Sequence, residues 1–547
     1  MAVYLNPSAK SFEEAVNSDI YVDKTEMIKE INSVLGTKQK YVSVSRPRRF
    51  GKTMAADMLC AYYGKSNDTK ELFTSRKLAL NNPDDWDKEL GKYDVIRLVM
   101  TDFIKKDVDV NDSIRLIRKR ILNELHEQYP SVSYDEYDLF YSLEKYYITT
   151  ETQFVIVLDE WDAVFRIRKD DKEGQNTYLD FLRDLFKDRN YVALAYMTGI
   201  LPIKKYGEHS ALNMFDEYSM ISPMQLAEYT GFTKEEVEAL CHKYNMDFDS
   251  VSEWYDGYVI TDSIPLDKRE LYRKGKYEEH KIQIFSPLSV VQAMRSGVID
   301  NYWNNTETYE ALAEYIRKNY DGLKEEITLL MNDGSVKLNI SKYQNDMTSF
   351  QSKDDILTLL IHLGYLGYDT ENKEAFIPNK EVLEVFKDST SDGEWIEAFA
   401  SFRKSNELLQ ATWNMNQDKV AEILEWAHDK ADNKTYNDEA ALNYAVRYAY
   451  YSAQLYYTTV FELDSGKGYA DIVYIPSPKY SDKPAMVIEL KYNKSADTAL
   501  MQIKKQNYPD RLAHYKGNIL LVGIDYDKDI QNTSAEYKRH KCIIEKA

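Results

Sequence analysis

The sequence predicts an α/β protein of several domains, and three observations predict it. Short apolar runs alternate with helical patterns over the first two hundred residues or so, as in a parallel sheet covered by helices on both faces. From about 225 to 340 the pattern turns mostly helical. Beyond 437 it returns to apolar strands flanked by helices.

The elements follow in order. YVSVS (41–45) is a β-branched and aromatic run that stops at RPRRFGKT, and an apolar helical pattern follows through Met54, Met58, Leu59 and Tyr62. VIRLVM (95–100) is the next strand, with helical patterns near 112–128 and 136–147. FVIVLD (154–159) is continuously apolar up to its last residue, as in a strand buried on both faces. A helical segment (177–188) leads to the strand YVALAYMTG (191–199). Residues 354–386 read helix, glycine-containing hairpin, helix, which is a winged-helix-like unit. The last portion reads helix (437–453), strands (457–463, 469–475, 485–491), helix (496–507) and strand (518–524). The expected domains are 1–225, 226–340, 341–395 and 396–547, with no low-complexity linker to sharpen their edges.

Composition narrows the function. With 547 residues, 44% hydrophobic and 29% charged, the chain can bury several cores. A formal charge of −20 argues against non-specific coating of nucleic acid. It leaves room for a local basic groove, because charge is felt within a Debye length. Three scattered cysteines (Cys60, Cys241, Cys542) point to reduced thiols in a cytoplasmic protein. The eight histidines are scattered too, so no zinc site is expected. No apolar run approaches the ~18 residues of a membrane span, so no membrane partner is expected.

Gly51-Lys52-Thr53 closes a loop between a strand and a helix. Such a loop aims backbone N–H groups at phosphate oxygens where the helix dipole also favours anions. Lys52 would reach the β and γ phosphates of ATP, and Thr53 would hold Mg²⁺. The general motif has glycine where this chain has Arg46. Asp159-Glu160 ends the buried strand FVIVLD. There the first acid completes the Mg²⁺ shell and the second activates the attacking water. Thr198 ends the following strand, where a polar sensor of the γ phosphate is expected. This layout predicts the three-layer parallel sheet of a P-loop NTPase.

YVDKTEMI (21–28), SRPRRFGKT (45–53), VLDEWDAVF (157–165) and the stretch from TGILPI to ALNMF (198–215) resemble the AAA-ATPase-like family. Members of that family typically carry a C-terminal PD-(D/E)XK nuclease domain. The resemblance continues through WYDGY (254–258), FSPLSV (285–290), LGYLGYD (363–369) and IPNKEV (377–382), and so covers nearly the whole chain. The family's own loop reads Arg-Pro-Arg-Arg-Phe-Gly-Lys, so Arg46 departs from the general motif and not from the family. The resemblance implies nucleotide contacts over Arg46, Pro47, Arg48, Arg49, Phe50, Gly51, Lys52 and Thr53. Arg46, Arg48 and Arg49 read equally well as phosphate contacts, as contacts to a neighbouring subunit, or as solvated cations.

Asp471, in GKGYADIVYI, is followed 18 residues later by Glu489-Leu490-Lys491 at the end of the strand AMVIEL. Carboxylates on adjacent strands can hold a divalent metal. A lysine two residues on shares their face and can position the attacking water. The segment resembles a PD-(D/E)XK nuclease, which implies a restriction-endonuclease-like α/β domain, although no proline precedes Asp471. Gln502, on the following helix, is where the family often places a glutamine. Glu439 aligns with the apolar stripe Leu442, Val446, Ala449 and Ala453. It reads either as a further metal ligand or as an ordinary acid at a helix N-terminus.

The expected function is an ATPase whose nucleotide state regulates a metal-dependent nuclease. The resemblance extends this to defence against mobile elements. The alternative is an ATP-dependent switch or scaffold whose nuclease fold binds without cutting. The intact Asp471, Glu489, Lys491 set favours cleavage. DNA against RNA and the oligomeric state, a homo-oligomer included, stay open.

Overall fold

A computed structural model describes residues 3–65, 68–203, 211–261, 269–273, 281–303, 322–340, 343, 350, 352–390, 393–430, 439–464, 469–506, 518–527 and 539–547. The chain divides into two compact units: Met1–Asp321 with Lys337–Asp388, and Gly322–Val336 with Ser389–Ala547. Among the described residues no helix is long and apolar enough to cross a membrane.

In the first unit, β1 (Tyr41–Ser45), β2 (Asp94–Val99), β3 (Phe154–Asp159), β4 (Val192–Gly199) and β5 (Asp216–Tyr218) form one parallel sheet. Its order is β2-β3-β4-β1-β5, so β4 separates the loop strand β1 from the acid strand β3. Every residue of β1, β3 and β4 is buried. Alternate side chains therefore serve two cores. Ile156, Leu158 and Met197 meet the helices Val110–Gln128, Leu139–Thr150 and Lys172–Phe186. Val155, Val157 and Tyr196 meet the helices Met27–Val34 and Lys52–Tyr63. The result is the three-layer P-loop fold that the continuous apolar runs predict. The three-residue β5 carried no readable pattern.

The middle of this unit holds the helices Lys234–Tyr244, Phe248–Tyr255 and Pro287–Ser296. The first is fixed by a capping box between Thr233 and Glu236. It also holds a small antiparallel sheet of β6 (Phe232–Thr233), β7 (Tyr258–Thr261) and β8 (Lys281–Phe285), in the order β6-β8-β7. The sequence reads as mostly helical here, because β6 and β7 are too short to show alternation and β8 alone does not mark a sheet.

The chain re-enters the unit at Lys337, the last residue of β9 (Ser335–Lys337), and the helix Lys353–Leu363 follows. Then come the hairpin of β10 (Gly367–Asp369) with β11 (Glu374–Phe376) and the helix Lys380–Ser389. This is the winged-helix-like unit. Gly364 ends its first helix at φ +87°, and an added Cβ there would lie 2.8 Å from the Pro47 ring. Only glycine serves both the turn and this approach to the phosphate loop.

In the second unit, β12 (Tyr457–Asp464), β13 (Tyr469–Pro476), β14 (Ala485–Tyr492), β15 (Ile519–Tyr526) and β16 (His540–Lys546) form a mixed sheet in sequence order. Only β14 and β15 run parallel. A parallel pair needs a crossover, and the helix Ala496–Gln506 lies within it. That helix packs with Val473, Val487, Ile519 and Leu521 on one face of the sheet. The helices Gly393–Trp413, Gln417–Lys430 and Glu439–Ala449 cover Ile472, Ile488, Leu490 and Val522 on the other. The edge strand β16 was not foreseen, since HKCIIEK mixes polar and apolar residues without a clean period.

Candidate nucleotide and metal sites

The carboxyl ends of parallel strands are where ligands bind in such sheets. Here β1, β3 and β4 end around a cavity of about 1100 Å³. Arg48, Arg49, Gly51, Lys52 and Thr53 line one side, and Asp159, Glu160 and Gly199 line another. Gly51 sits at φ +84° and opens the helix Lys52–Tyr63, a backbone state that suits glycine. Lys52 is 8% exposed, and its ammonium donates to the carbonyls of Arg46 (2.9 Å) and Pro47 (2.6 Å). Burial pushes its pKa down to about 8, although Asp162 and Asp159 act in the other direction. A buried cation held by the loop's own carbonyls, beside an exposed Thr53, fits a phosphate chain with Mg²⁺.

The SRPRRFGKT segment is divided. Arg48, Arg49 and Phe50 line the cavity, Phe50 as a buried residue, whereas Arg46 and Pro47 are buried outside its lining. Arg46 is fully enclosed and donates to the carbonyls of Ser45 (2.9 Å) and Tyr218 (2.8 Å). Burial lowers its pKa to about 10. Its side chain thus ties the loop to β5, and its backbone carbonyl holds Lys52. The Phe50 ring meets Tyr258 and Trp303 edge-on at 5.5 and 6.5 Å. Arg46 and Phe50 thus fasten the loop through partners far along the chain.

Asp159 and Thr198 are both buried, and the threonine hydroxyl donates to the Asp159 carboxylate. Thr198 therefore reaches the site through Asp159 rather than from the cavity wall. Glu160 adopts φ +54°, unusual for a non-glycine residue. Its carboxylate accepts a hydrogen bond from Arg166 at 2.9 Å. Arg166 also pairs with Asp162 at 3.3 Å, and Asp162 accepts from the N–H groups of Ile200 and Leu201. Asp162 was visible within VLDEWDAVF yet carried no assigned role. Arg166 and Arg295, which also line the cavity, sit on helices without a local signal.

In the second unit, the register that pairs Ile472 with Ile488 sets Asp471 opposite Glu489. Residues opposite one another share a face, here the face covered by the helix Ala496–Gln506. Asp471 accepts from the Leu490 N–H at 2.7 Å. Lys491 shares the face of Glu489 by period two and bonds its Oε1 at 2.9 Å. Glu489 is 1% exposed. Burial, with Asp471 adding to it, pushes its pKa up to about 7 against the pull of Lys491. Among the described residues its Oε2 finds no hydrogen-bond partner. A buried carboxylate oxygen without a partner, facing a second carboxylate, is a donor set that suits a hard divalent cation. Among the described residues no group of three or more such ligands gathers. Gln502 lies half-buried on the covering helix. Glu439 opens the helix Glu439–Ala449, but its side chain lies outside the described residues.

Two regions of the chain match known families. Residues 8–207 match the family model of predicted AAA-ATPases, and residues 438–536 match that of the PD-(D/E)XK nuclease superfamily. An uncharacterized protein from the vnfD 5' region of Azotobacter chroococcum mcd 1 is 24% identical over 284 residues. That match covers 50% of this chain and 52% of the other, so the chain spans about half the length of this curated relative. Among solved structures, the Aeropyrum pernix ORC2 protein in ADPNP–ADP complexes aligns over 68% of this chain and 96% of its own, with 11% identity and a TM-score of 0.28. The Aeropyrum pernix ORC1 protein in complex with DNA aligns over 70% and 97%, with 11% identity and a TM-score of 0.25. Cdc6p from Pyrobaculum aerophilum aligns over 69% and 97%, with 11% identity and a TM-score of 0.24. The chain therefore contains a predicted AAA-ATPase domain over residues 8–207 and a PD-(D/E)XK nuclease superfamily domain over residues 438–536.

Proposed function

We propose that the chain binds ATP with Mg²⁺ in the cavity at the carboxyl ends of β1, β3 and β4 and hydrolyses it. We further propose that nucleotide state regulates phosphodiester cleavage at Asp471, Glu489 and Lys491. The observation that carries this reading is the convergence of Lys52, Thr53, Asp159 and Glu160 on one cavity of about 1100 Å³. Lys52 exchanges its two carbonyl acceptors for phosphate oxygens. Thr53 and Asp159 are the residues to hold Mg²⁺, with Thr198 orienting the Asp159 carboxylate. Glu160 takes the proton of the water that attacks the γ phosphorus, and ADP leaves with inorganic phosphate as the second product.

In the nuclease domain, Asp471 and Glu489 are the residues to hold a divalent cation, with Glu439 as the further expected ligand. Bound there, the cation offsets charge on the scissile phosphate and lowers the pKa of its water. Lys491 orients that water, and Gln502 is expected to contact the site from the covering helix. The domain's superfamily supports a nucleic-acid partner, and the family resemblance is the support for a role against mobile elements.

The test is a cleavage assay on single- and double-stranded DNA and RNA with Mg²⁺, with and without ATP. Cleavage that changes at least several-fold with ATP supports the coupling. Cleavage indifferent to nucleotide removes the regulation. Nucleotide binding without cleavage of any polymer leaves a non-cutting switch.

A further inference from the structure

Glu160 carries the proton transfer in the reading above, yet nothing in the motif explains how its carboxylate is held. It follows a buried strand on a left-handed backbone turn, and its side chain is 40% exposed. A carboxylate so placed has several rotamers open to it, and proton transfer needs one. Arg166 removes that freedom. Its side chain is 12% exposed, and its guanidinium bonds Glu160 at 2.9 Å and meets Asp162 at 3.3 Å. Asp162 is fully buried and is itself gripped by the N–H groups of Ile200 (3.1 Å) and Leu201 (3.0 Å), just past β4. The chain of contacts runs from the end of β4 through Asp162 and Arg166 to Glu160. Every member but the last is anchored in the interior.

We propose that Arg166 is a positioning residue that holds the Glu160 carboxylate in its working orientation at the nucleotide cavity. The proposal rests on the ATPase reading above. A rigid guanidinium fork suits this task, because it fixes direction as well as distance. Misplacing a reacting group by about 1 Å can cost on the order of 100-fold in rate. Arg166 also lines the cavity, so its own contact with phosphate is the competing role to be separated by experiment.

The test uses the full chain and measures steady-state ATP hydrolysis, with nucleotide Kd by calorimetry, for wild type, Arg166→Ala, Arg166→Lys and Glu160→Gln. Arg166→Ala should lower kcat about 10- to 100-fold while Kd stays within about threefold. Arg166→Lys should restore part of the loss. The double variant Arg166→Ala/Glu160→Gln should be no slower than Glu160→Gln alone, since both changes act on one group. A rise in kcat for Arg166→Ala would mean that the pair restrains Glu160, and would overturn the proposal. So would a Kd weakened in step with an unchanged kcat, which marks a phosphate contact, or fully additive losses. If wild type binds ATP without hydrolysing it, the ATPase reading itself falls. An active wild type with any of the other contrary outcomes sinks only Arg166.

Discussion

Lys52 and Glu489 are both buried ionisable groups, and burial moves them in opposite directions. The ammonium falls to about 8 and the carboxyl rises to about 7. A cation buried against backbone carbonyls calls for an anion, and a carboxylate oxygen buried beside a second carboxylate calls for a cation. The sign of the strained charge thus distinguishes the proposed phosphate site from the proposed metal site. The two sites also differ in what already holds the charge. Lys52 leans on the carbonyls of Arg46 and Pro47, whereas Glu489 has a counter-charge in Lys491 at 2.9 Å.

The largest test of this comparison exchanges activities. Lys52→Ala should lower ATP hydrolysis by about a thousandfold or more, the scale of losing a charge-stabilising group in a closed site. Asp471→Ala should lower polynucleotide cleavage on a similar scale and leave hydrolysis of ATP within about twofold. Phosphate release and cleavage of labelled polymer, measured on the same preparations, check both. If Asp471→Ala depresses ATP hydrolysis as strongly as cleavage, the two sites are not chemically separate.

A smaller effect concerns stability, and here one substitution should change sign between the sites. Lys491→Met removes the partner of a buried carboxylate and should destabilise the second unit by about 2–3 kcal/mol. Lys52→Met removes a cation that burial disfavours and should stabilise the first unit by about 1–2 kcal/mol at pH 7. Removing both charges in Lys491→Met/Glu489→Gln should recover most of the loss, as replaced buried pairs do. Denaturant unfolding without ATP or divalent metal measures all three. Destabilisation of equal size by both lysine changes would end the claim that the sites hold their charges differently.

How much of this was legible in the sequence depended on where each signal resides. Asp159 ends a buried strand, Glu489 lies near the end of another, and Lys52 opens the helix after the loop that follows a third. A continuous apolar run beside a charged residue survives in one dimension, and so the sheet and its acids could be read. The inward turn of Arg46 and Phe50 could not, because their partners Tyr218, Tyr258 and Trp303 lie far along the chain. A run of Arg-Pro-Arg-Arg looks like a phosphate grip, but the fold spends its first residue on bracing the loop. Arg166 and Asp162 escaped notice for a related reason. Their roles come from contacts with Glu160 and the end of β4 and not from any spacing. Likewise β5 and β6 are made by long-range pairing of segments only two or three residues long, and the alternation of β8 stood out only once its partners were known.

His362 supplies the control for the comparison, and the smallest predicted effect. It lies buried on the helix Lys353–Leu363, stacked on Tyr343, and burial pushes its pKa down to about 3, with Arg46 adding to the shift. Unlike Lys52 it is neutral at pH 7, so the same burial calls for no ligand. The cost appears only in acid. The unfolded chain takes up this proton near the ordinary 6.5, while the folded chain resists it to about 3. Between those values the unfolded state binds more protons, so stability is fully present above 6.5 and is lost as pH falls. His362→Phe should remove that loss. By pH 5, wild type should fall behind the variant by about 1–2 kcal/mol relative to their difference at pH 7. Denaturant unfolding of both proteins at the two pH values measures this. If the two proteins lose stability in parallel, His362 is not the neutral buried group that burial alone explains. A shift in titration could then no longer be separated from a call for a ligand at Lys52 and Glu489.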